Sequence, residues 1–243
     1  MNHGIKVILF DLGNTLIYDD RASWRDIYKE ADNSLWVSLH KFGINLTSQD
    51  LFGVHKTLLE YYYNLRAGDL EEPGIGNILR QILGSHNIHM SDENLNIAIR
   101  SMYAVTQTNW HLEDDAIPTA RSLLDDGYRL GIVSNSSDEV NTFELMEKLK
   151  LRPLFEYILS SASFGKRKPH PGIFHAALDH FHVSAEESVM VGDDYEADIL
   201  GSKSVGMSSI WITKRVKTPL KDLRSNEGFI VSNLAEILPL FST

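Results

Sequence analysis

Five short apolar runs, separated by helical patterns, constrain the fold of this chain more than any other feature of its sequence. The first run, Ile5–Phe10, is apolar except for Lys6, as expected of a strand buried on both faces. The other runs are Tyr128–Val133, Tyr157–Leu159, Ser188–Val191 and Ser208–Ile212. The helical patterns are Thr119–Asp126, Glu139–Lys150, Ile173–Phe181 and Ala197–Val205. This alternation predicts an α/β fold, in which helices cover both faces of a parallel sheet.

The segment from Tyr18 to Asp114 has helical periodicity and no strand signal. Its first apolar stripe ends at Gly43, and glycine commonly ends a helix. The stripe consists of Trp24, Ile27, Tyr28, Ala31, Leu35, Leu39 and Phe42. A capping box at Thr47 and Asp50 predicts a second helix. The other helices expected here are Ile75–Leu83 and Leu95–Val105.

These patterns predict that an all-helical cap interrupts the α/β core directly after the first strand. The predicted core comprises residues 1–17 and 114–243, and the predicted cap comprises residues 18–113. A chain of 243 residues that is 43% hydrophobic is long enough to bury such a core with a second, smaller domain.

Charge and composition narrow the classes of partner. The net charge of −10 disfavours nucleic acid and anionic membranes, since neither would find a continuous basic track. The absence of cysteine excludes disulfides, thiolate metal sites and a cysteine nucleophile. No apolar stretch reaches the roughly 20 residues that span a bilayer. We therefore expect a cytoplasmic protein that acts on a small molecule; the sequence does not indicate its oligomeric state.

Ligands of an open parallel sheet bind beyond the carboxyl ends of its strands, so the residues directly after each strand are the candidates for chemistry. They are Asp11–Thr15, Ser134 with Asn135, Lys166–Pro169 and Gly192–Asp198. Carboxylates, a hydroxyl and a lysine thus converge on one edge. The carboxylates suit a hard cation such as Mg²⁺. That cation and the lysine would let a carboxylate approach a phosphate that otherwise repels it.

The four segments, in this order, resemble the motifs of the haloacid dehalogenase-like (HAD) hydrolases with a helical (C1) cap after the first motif. This resemblance implies a Rossmann-like core. Asp11 in FDLGNTL matches the family nucleophile, and Ser134 in IVSNSS, with Asn135 beside it, matches the hydroxyl that binds the transferring group. Lys168 in GKRKPHPGIF matches the lysine that holds nucleophile and phosphate together. The resemblance thus implies catalytic roles for Asp11, Ser134 and Lys168.

The resemblance also implies a metal site. Asp193 in VGDDYEAD matches the principal metal carboxylate, and Asp198 matches the second acid of that motif. With Asp11 and the backbone carbonyl of Gly13, they would hold Mg²⁺. Two roles remain for Asp194: it acts in the outer shell of the metal site, or it is an acidic residue that only favours the N-terminus of a helix. The expected substrate-binding residues are Asn14, Ser134, Asn135 and Lys168, although Asn14 also suits a turn.

Gly13 departs from the family pattern, because the phosphatases usually have a general acid and base at this position. Losing that help typically costs about 10²–10⁴ in rate. Two explanations keep the phosphatase reaction: the substrate carries a good leaving group, or another group replaces the acid, namely water, Asp19, Asp20 or a cap residue. Carbon–halogen cleavage, carbon–phosphorus cleavage and pure binding of a phosphometabolite or partner are further alternatives. The acidic motif favours metal-assisted phosphatase chemistry through an aspartyl-phosphate, since the family's dehalogenases need no metal and lack that motif.

Several neighbouring residues carry lesser expectations. Lys166 and Arg167 are expected to be solvated, and His170 is expected to begin a helix rather than to bind metal. The run Tyr61–Tyr63 or Arg66 would line the cap. Carbon–phosphorus cleavage of the phosphonoacetaldehyde type would need a cap lysine, for which the candidates are Lys29, Lys41 and Lys56.

Overall fold

The computed structural model describes residues 4–20, 24–47, 68, 70–216 and 229–241. Its strands are β1 (Val7–Phe10), β2 (Ile17–Asp19), β3 (Trp110–Leu112), β4 (Arg129–Ser134), β5 (Tyr157–Ser160), β6 (Ser188–Gly192), β7 (Ser208–Ile212) and β8 (Phe229–Val231). Six of them form one parallel sheet in the order β5-β4-β1-β6-β7-β8. All five strands predicted from the sequence are present, and β8 was not predicted.

The helices lie mostly where the apolar periodicity placed them. They are α1 (Trp24–Lys41), α2 (Ile75–Ser85), α3 (Asp92–Thr106), α4 (Ala116–Asp125), α5 (Glu139–Lys148), α6 (Ser161–Phe164), α7 (Pro171–Phe181), α8 (Gly201–Ser204) and α9 (Leu238–Phe241). A π-helix, Tyr195–Leu200, precedes α8. No helix of the described ranges is long and apolar enough to cross a membrane.

Alternate residues of β1 supply the two faces of the core. Ile8 and Phe10 belong to a cluster that includes residues of α4, α5 and α9, whereas Val7 and Leu9 pack with α7. All four residues are buried, as the continuous apolar run predicts for a central strand. The sheet is therefore covered on both faces, which confirms the predicted α/β core.

The register of the central strands brings their carboxyl ends to one level. Phe10 at the end of β1 pairs with Ile132 of β4 and with Val191 of β6. The backbone nitrogen of Asp11 then donates to the carbonyl of Val191 over 2.8 Å. The residues that follow β1, β4 and β6 consequently emerge at the same edge of the sheet.

The helices α1, α2 and α3 build a separate hydrophobic cluster. Leu35, Leu39, Leu79 and Met102 are fully buried in it. Ser91 caps α3 by accepting a hydrogen bond from the Asn94 nitrogen. A helical insert is thus present in the described residues, whereas the boundaries 1–17, 18–113 and 114–243 stay a prediction. The capping box at Asp50, with the helix expected to follow it, lies outside the described residues.

The prediction that no strand interrupts residues 18–114 was wrong. β2 and β3 form an antiparallel ribbon, in which Ile17 pairs with Leu112 and Asp19 pairs with Trp110. Each strand has only three residues, too few for an alternating pattern to stand out from the helical signal beside it. This ribbon lies where the chain leaves the core for the helical insert and returns from it.

Glu113 anchors the return strand of this ribbon. Its buried carboxylate accepts hydrogen bonds from Arg215 and Lys214. Burial alone would raise the pKa of Glu113, but the hydrogen bonds from these two cations outweigh burial and lower it.

We expect Glu113→Gln to lower the free energy of unfolding by about 1–2 kcal/mol at pH 7, since charged hydrogen bonds are lost. A lowered folded-state pKa stabilises the protein above the unfolded pKa of about 4.3 and stops doing so as the pH falls through the folded value. The difference between the variant and the wild type should therefore shrink below pH 4 in urea titrations. A difference that grows on acidification would contradict this account.

Candidate active site

Lys168 connects the ends of three separate chain segments. Its Nζ atom lies 2.7 Å from Oδ1 of Asp11 and 2.6 Å from Oδ1 of Asp198. The side chains of Lys168 and Asp198 are each 1% exposed, so water screens these ion pairs little. Burial alone would lower the pKa of Lys168, but the charges of Asp11 and Asp198 overcome this and raise it. The ammonium group is therefore a fixed positive charge.

Three carboxylates share this site. Asp11, Asp193 and Asp198 each offer an oxygen atom, and these atoms lie within 4.8 Å of one another. Burial, followed by the charges of Asp11 and Asp198, raises the pKa of Asp193. Burial and the charge of Asp11 likewise raise the pKa of Asp198 against the opposing effect of Lys168.

The lysine alone does not neutralise this concentration of negative charge. Three carboxylates clustered at one point, with Asp11 and Asp198 buried and Asp193 half-buried, match the needs of a divalent cation with a preference for oxygen ligands. The residues present thus fit a hard metal ion.

A glycine makes room for the innermost of these carboxylates. A Cβ atom on Gly192 would lie 2.2 Å from Oδ2 and 2.6 Å from Cβ of Asp198, closer than real atoms approach. The same Oδ2 atom accepts a hydrogen bond from the backbone nitrogen of Asp194. The carbonyl of Asp193, one residue earlier, accepts a hydrogen bond from the indole of Trp211. The loop after β6 is thus fixed at several points.

Asp194 caps the π-helix. Its Oδ1 atom accepts hydrogen bonds from the backbone nitrogens of Glu196 and Ala197. Of the two roles open for Asp194, the structure supports the helix cap.

Ser134 and Asn135 end β4 beside this group. Ser134 is buried as the last residue of the strand. The Asn135 side chain accepts from the backbone nitrogen of Lys168 and donates to its carbonyl, so both polar ends hold the lysine's own backbone. Asn135 therefore positions Lys168, and its predicted contact with substrate stays a prediction.

Gly13 and Asn14 form the turn after the nucleophile candidate. Asn14 has a φ of 56°, the left-handed conformation of a turn residue. Gly13 lies outside that region, and a Cβ atom built on it would meet Cη2 of Trp110 at 3.6 Å. The sequence did not reveal this neighbour, because Trp110 lies 97 positions away in the short ribbon strand β3.

Arg167 is not the solvated residue that the sequence led us to expect. It is buried, and its guanidinium lies 3.9 Å from the buried carboxylate of Glu72. Ser161 Oγ lies 3.1 Å from that carboxylate and accepts a hydrogen bond from Ser136. The sequence shows only three consecutive cations. The fold brings Arg167 next to Glu72, which lies 95 positions earlier in the chain.

The contact continues along the backbone. The nitrogen of Arg167 donates to the carbonyl of Leu70, and the nitrogen of Glu72 donates to the carbonyl of Gly165. The segment that leads into α2 is therefore held beside the loop that carries Lys168.

The other residues singled out in the sequence lie at a helix start, at the surface or outside the described residues. His170 begins α7 by accepting from the nitrogen of Gly172, which confirms its expected role. Lys166 pairs with Glu71 at the surface. Two candidate Schiff-base lysines, Lys29 and Lys41, are exposed. The candidates Lys56, Tyr61–Tyr63 and Arg66 lie outside the described residues.

Comparisons with known proteins agree on a family. The family model of haloacid dehalogenase-like hydrolases matches residues 5–206. Glyceraldehyde 3-phosphate phosphatase of Pyrococcus abyssi is 41% identical over 99 residues, which are 39% of this chain and 41% of that protein. Its namesake in Methanocaldococcus jannaschii is 26% identical over 241 residues, 97% of this chain and 96% of that protein.

Solved structures share the fold. 2-Haloacid dehalogenase from Pseudomonas syringae pv. Tomato aligns with a TM-score of 0.66 and 24% identity over 98% of this chain and 100% of that one. This likeness shows the fold alone. The chain spans about half the length or less of the first curated relatives that it matches, since 41%, 52% and 54% of those proteins are aligned.

Proposed function

The chain belongs to the haloacid dehalogenase-like hydrolases, and on that premise we propose that it is a Mg²⁺-dependent phosphatase of a small phosphorylated metabolite. The observation that carries the proposal is the buried bridge from Asp11 through Lys168 to Asp198, beside Asp193. This arrangement presents one carboxylate flanked by a fixed cation and by further metal-type ligands. It suits a nucleophile that must meet an anionic substrate.

In the proposed reaction, an oxygen of Asp11 attacks phosphorus in line with the leaving group and forms an aspartyl-phosphate. Lys168 holds the attacking carboxylate in place and offsets the charge of the phosphoryl oxygens. Ser134, at the end of the neighbouring strand, donates its hydroxyl to the same oxygens. Water then attacks phosphorus and loses a proton to solvent. The bond from phosphorus to the Asp11 oxygen breaks, and the carboxylate leaves with its electron pair as inorganic phosphate is released.

Asp11, Asp193, Asp198 and the Gly13 carbonyl would hold the Mg²⁺ ion. The bound ion would supply positive charge that reduces the repulsion between the carboxylate and the phosphate. The structure fits a hard cation through its oxygen donors. The identity of the ion as Mg²⁺ is part of the proposal.

The structural support distinguishes this reaction from its alternatives. A dehalogenase has no use for the cluster of Asp193 and Asp198 around Lys168. Carbon–phosphorus cleavage of the phosphonoacetaldehyde type needs a lysine nucleophile. Of the three candidates, Lys29 and Lys41 are exposed, and Lys56 lies outside the described residues. Relatives in two archaea are named as phosphatases of glyceraldehyde 3-phosphate, which makes that compound a reasonable first test substrate.

The proposal is tested by a panel of phosphorylated metabolites, phosphonoacetaldehyde and haloacids, each assayed with Mg²⁺ and with excess chelator. We expect release of inorganic phosphate from at least one phosphate ester only when Mg²⁺ is present. Halide release, or phosphate release from the phosphonate alone, would replace the proposal by the corresponding alternative. Full activity in chelator would refute the metal role.

We expect Mg²⁺ to raise the melting temperature of metal-free protein. An ion that binds only the folded state at 100 times its dissociation constant stabilises it by about 2.7 kcal/mol. Asp193→Asn should remove most of this shift, because it removes one of three clustered carboxylates.

Asp194→Asn is the matched control for this measurement. Asparagine caps a helix about as well as aspartate, so the variant should keep the cap and the full Mg²⁺-induced shift. If both variants lose the shift equally, Asp194 is a metal ligand as well. If neither loses it, the proposed metal site is wrong.

A further inference from the structure

Trp110 lies against the residue where the acid of related phosphatases is missing. Its Cη2 and Cζ3 atoms lie 3.6 and 3.9 Å from the position of a Cβ atom on Gly13. These are ordinary van der Waals distances, so a small side chain fits at position 13. In a longer side chain at position 13, however, the atoms after Cβ would be confined on one side by the end of the Trp110 indole ring.

The ribbon directs Trp110 to this side. Side chains alternate along a strand, and residues paired across an antiparallel ribbon share a face. Tyr18 and His111 are paired, and their rings lie tilted against each other on one face with centroids 5.5 Å apart. Trp110 therefore lies on the other face with its partner Asp19, and its ring packs against the hydrophobic core.

We infer that the leaving group extends toward this ribbon. Lys168, Asp193 and Asp198 surround Asp11 at the sheet edge. In an in-line displacement the attacking and leaving oxygens lie on opposite sides of phosphorus, so the leaving group points away from Asp11. The ribbon follows Asp11 in the chain and leads to the helical insert. The ring of Trp110, in this ribbon, lies against Gly13, which is two positions after Asp11 in the sequence.

We propose that Trp110 is a specificity-determining residue, whose indole forms an apolar wall beside the leaving group in the space that an acid at position 13 would use. The inference rests on the proposed phosphatase function and deepens it. The preferred substrates are then phosphates with an apolar leaving group of low basicity, of which aryl phosphates are the simplest.

An aryl leaving group departs in this reaction without a proton donor. As the Asp11 oxygen bonds to phosphorus, the bond from phosphorus to the leaving oxygen breaks. The electron pair stays on that oxygen, which departs as a phenolate. An alkoxide would need a proton at this point, and the indole ring offers none to it.

The test compares kcat/KM for p-nitrophenyl, phenyl and alkyl phosphates, with glyceraldehyde 3-phosphate and glycerol 3-phosphate as the alkyl members. Wild type should turn over the aryl esters at least about 10²-fold faster than the alkyl esters, the usual worth of general acid help. Trp110→Ala should reduce this preference by roughly three- to tenfold, the worth of an aromatic contact.

The sharpest comparison combines the two positions. Gly13→Asp alone should raise alkyl turnover less than about threefold, because the ring confines the new carboxyl group. Gly13→Asp with Trp110→Ala should raise it at least about tenfold, toward the ordinary effect of a general acid. Gly13→Ala tests whether the loop accepts a Cβ atom.

His111→Ala is the matched control, since it truncates a ring on the opposite face of the same ribbon. It should leave the ratio of aryl to alkyl turnover unchanged. Trp110→Phe keeps an aromatic ring if Trp110→Ala fails to fold, and should give an intermediate ratio.

Two failures are distinguishable. If no phosphate ester is hydrolysed, the proposed function itself is wrong. If the esters are hydrolysed but wild type shows a shallow dependence on leaving-group basicity, or if Trp110→Ala leaves the ratio unchanged, the role of Trp110 is wrong. A shallow dependence that becomes steep in Asp19→Asn would identify Asp19 as the acid instead.

Discussion

Asp11→Asn should lower kcat by at least about 10³-fold, because it removes the nucleophile of the proposed reaction. Asparagine retains the shape of the side chain but has no negatively charged oxygen to attack phosphorus. Lys168 keeps its second partner, Asp198, so the variant should fold normally. The measurement is kcat for the best phosphate ester of the panel, together with the melting temperature.

Asp26→Asn is the matched control for this variant. Asp26 is an exposed aspartate in the first turn of α1, and its substitution should leave kcat within about twofold of wild type, as is usual for surface positions. An Asp11→Asn variant that keeps more than a few per cent of wild-type activity would remove Asp11 from the nucleophile's role.

Lys168→Met should both inactivate and destabilise the protein. Methionine replaces the unbranched alkyl part of lysine but leaves the buried carboxylates of Asp11 and Asp198 without their cation. Breaking a buried ion pair by removing one partner costs about 3–5 kcal/mol. Loss of one charged group that stabilises a transition state should also lower kcat by about 10²-fold or more. Urea unfolding of metal-free protein and steady-state kinetics measure the two effects.

Lys166→Met is the control on the same loop. Lys166 pairs with Glu71 at the surface, where ion pairs contribute about 0–1 kcal/mol. Should Lys166→Met and Lys168→Met destabilise the protein equally, burial of the Lys168 ion pairs would not be the source of the effect. Lys168→Arg keeps the charge if Lys168→Met does not fold.

The core of this protein could be predicted from its sequence because its signals are local and repeated. Buried central strands such as β1 and β6 read as continuous apolar runs, and each is followed at once by its polar residues. The rule that ligands bind beyond the carboxyl ends of parallel strands then brings Asp11 and the acidic segment with Asp198 together before any distance is known, and the family resemblance adds Lys168. The observed contacts of 2.6 and 2.7 Å agree with that expectation.

What could not be predicted depends on contacts between distant segments. Arg167 reads as one of three consecutive cations, and only the fold brings the buried carboxylate of Glu72 to it. Trp110 reads as an ordinary aromatic residue near the end of a helical region, and only the pairing of β2 with β3 sets it against Gly13. Such short strands carry too few residues for a periodic signal.

The role of Asn135 shows a subtler limit. Its position after β4 indicated a place at the site, and the structure agrees. The sequence could not tell whether its amide faces a substrate or the protein, and both ends of that amide bond the backbone of Lys168. Proximity was predictable here, whereas the hydrogen-bond partner was not.

The central claim is that Asp11 carries the phosphoryl group during turnover. The most direct measurement is to mix the enzyme with Mg²⁺ and p-nitrophenyl phosphate, quench it in acid within the first turnover, and locate the phosphate by peptide mass spectrometry. We predict that the added phosphate lies on the peptide that contains Asp11, and that Asp11→Asn abolishes it. Phosphate on a different residue, or nitrophenol released in the first turnover with no phosphate on any peptide, would contradict the account.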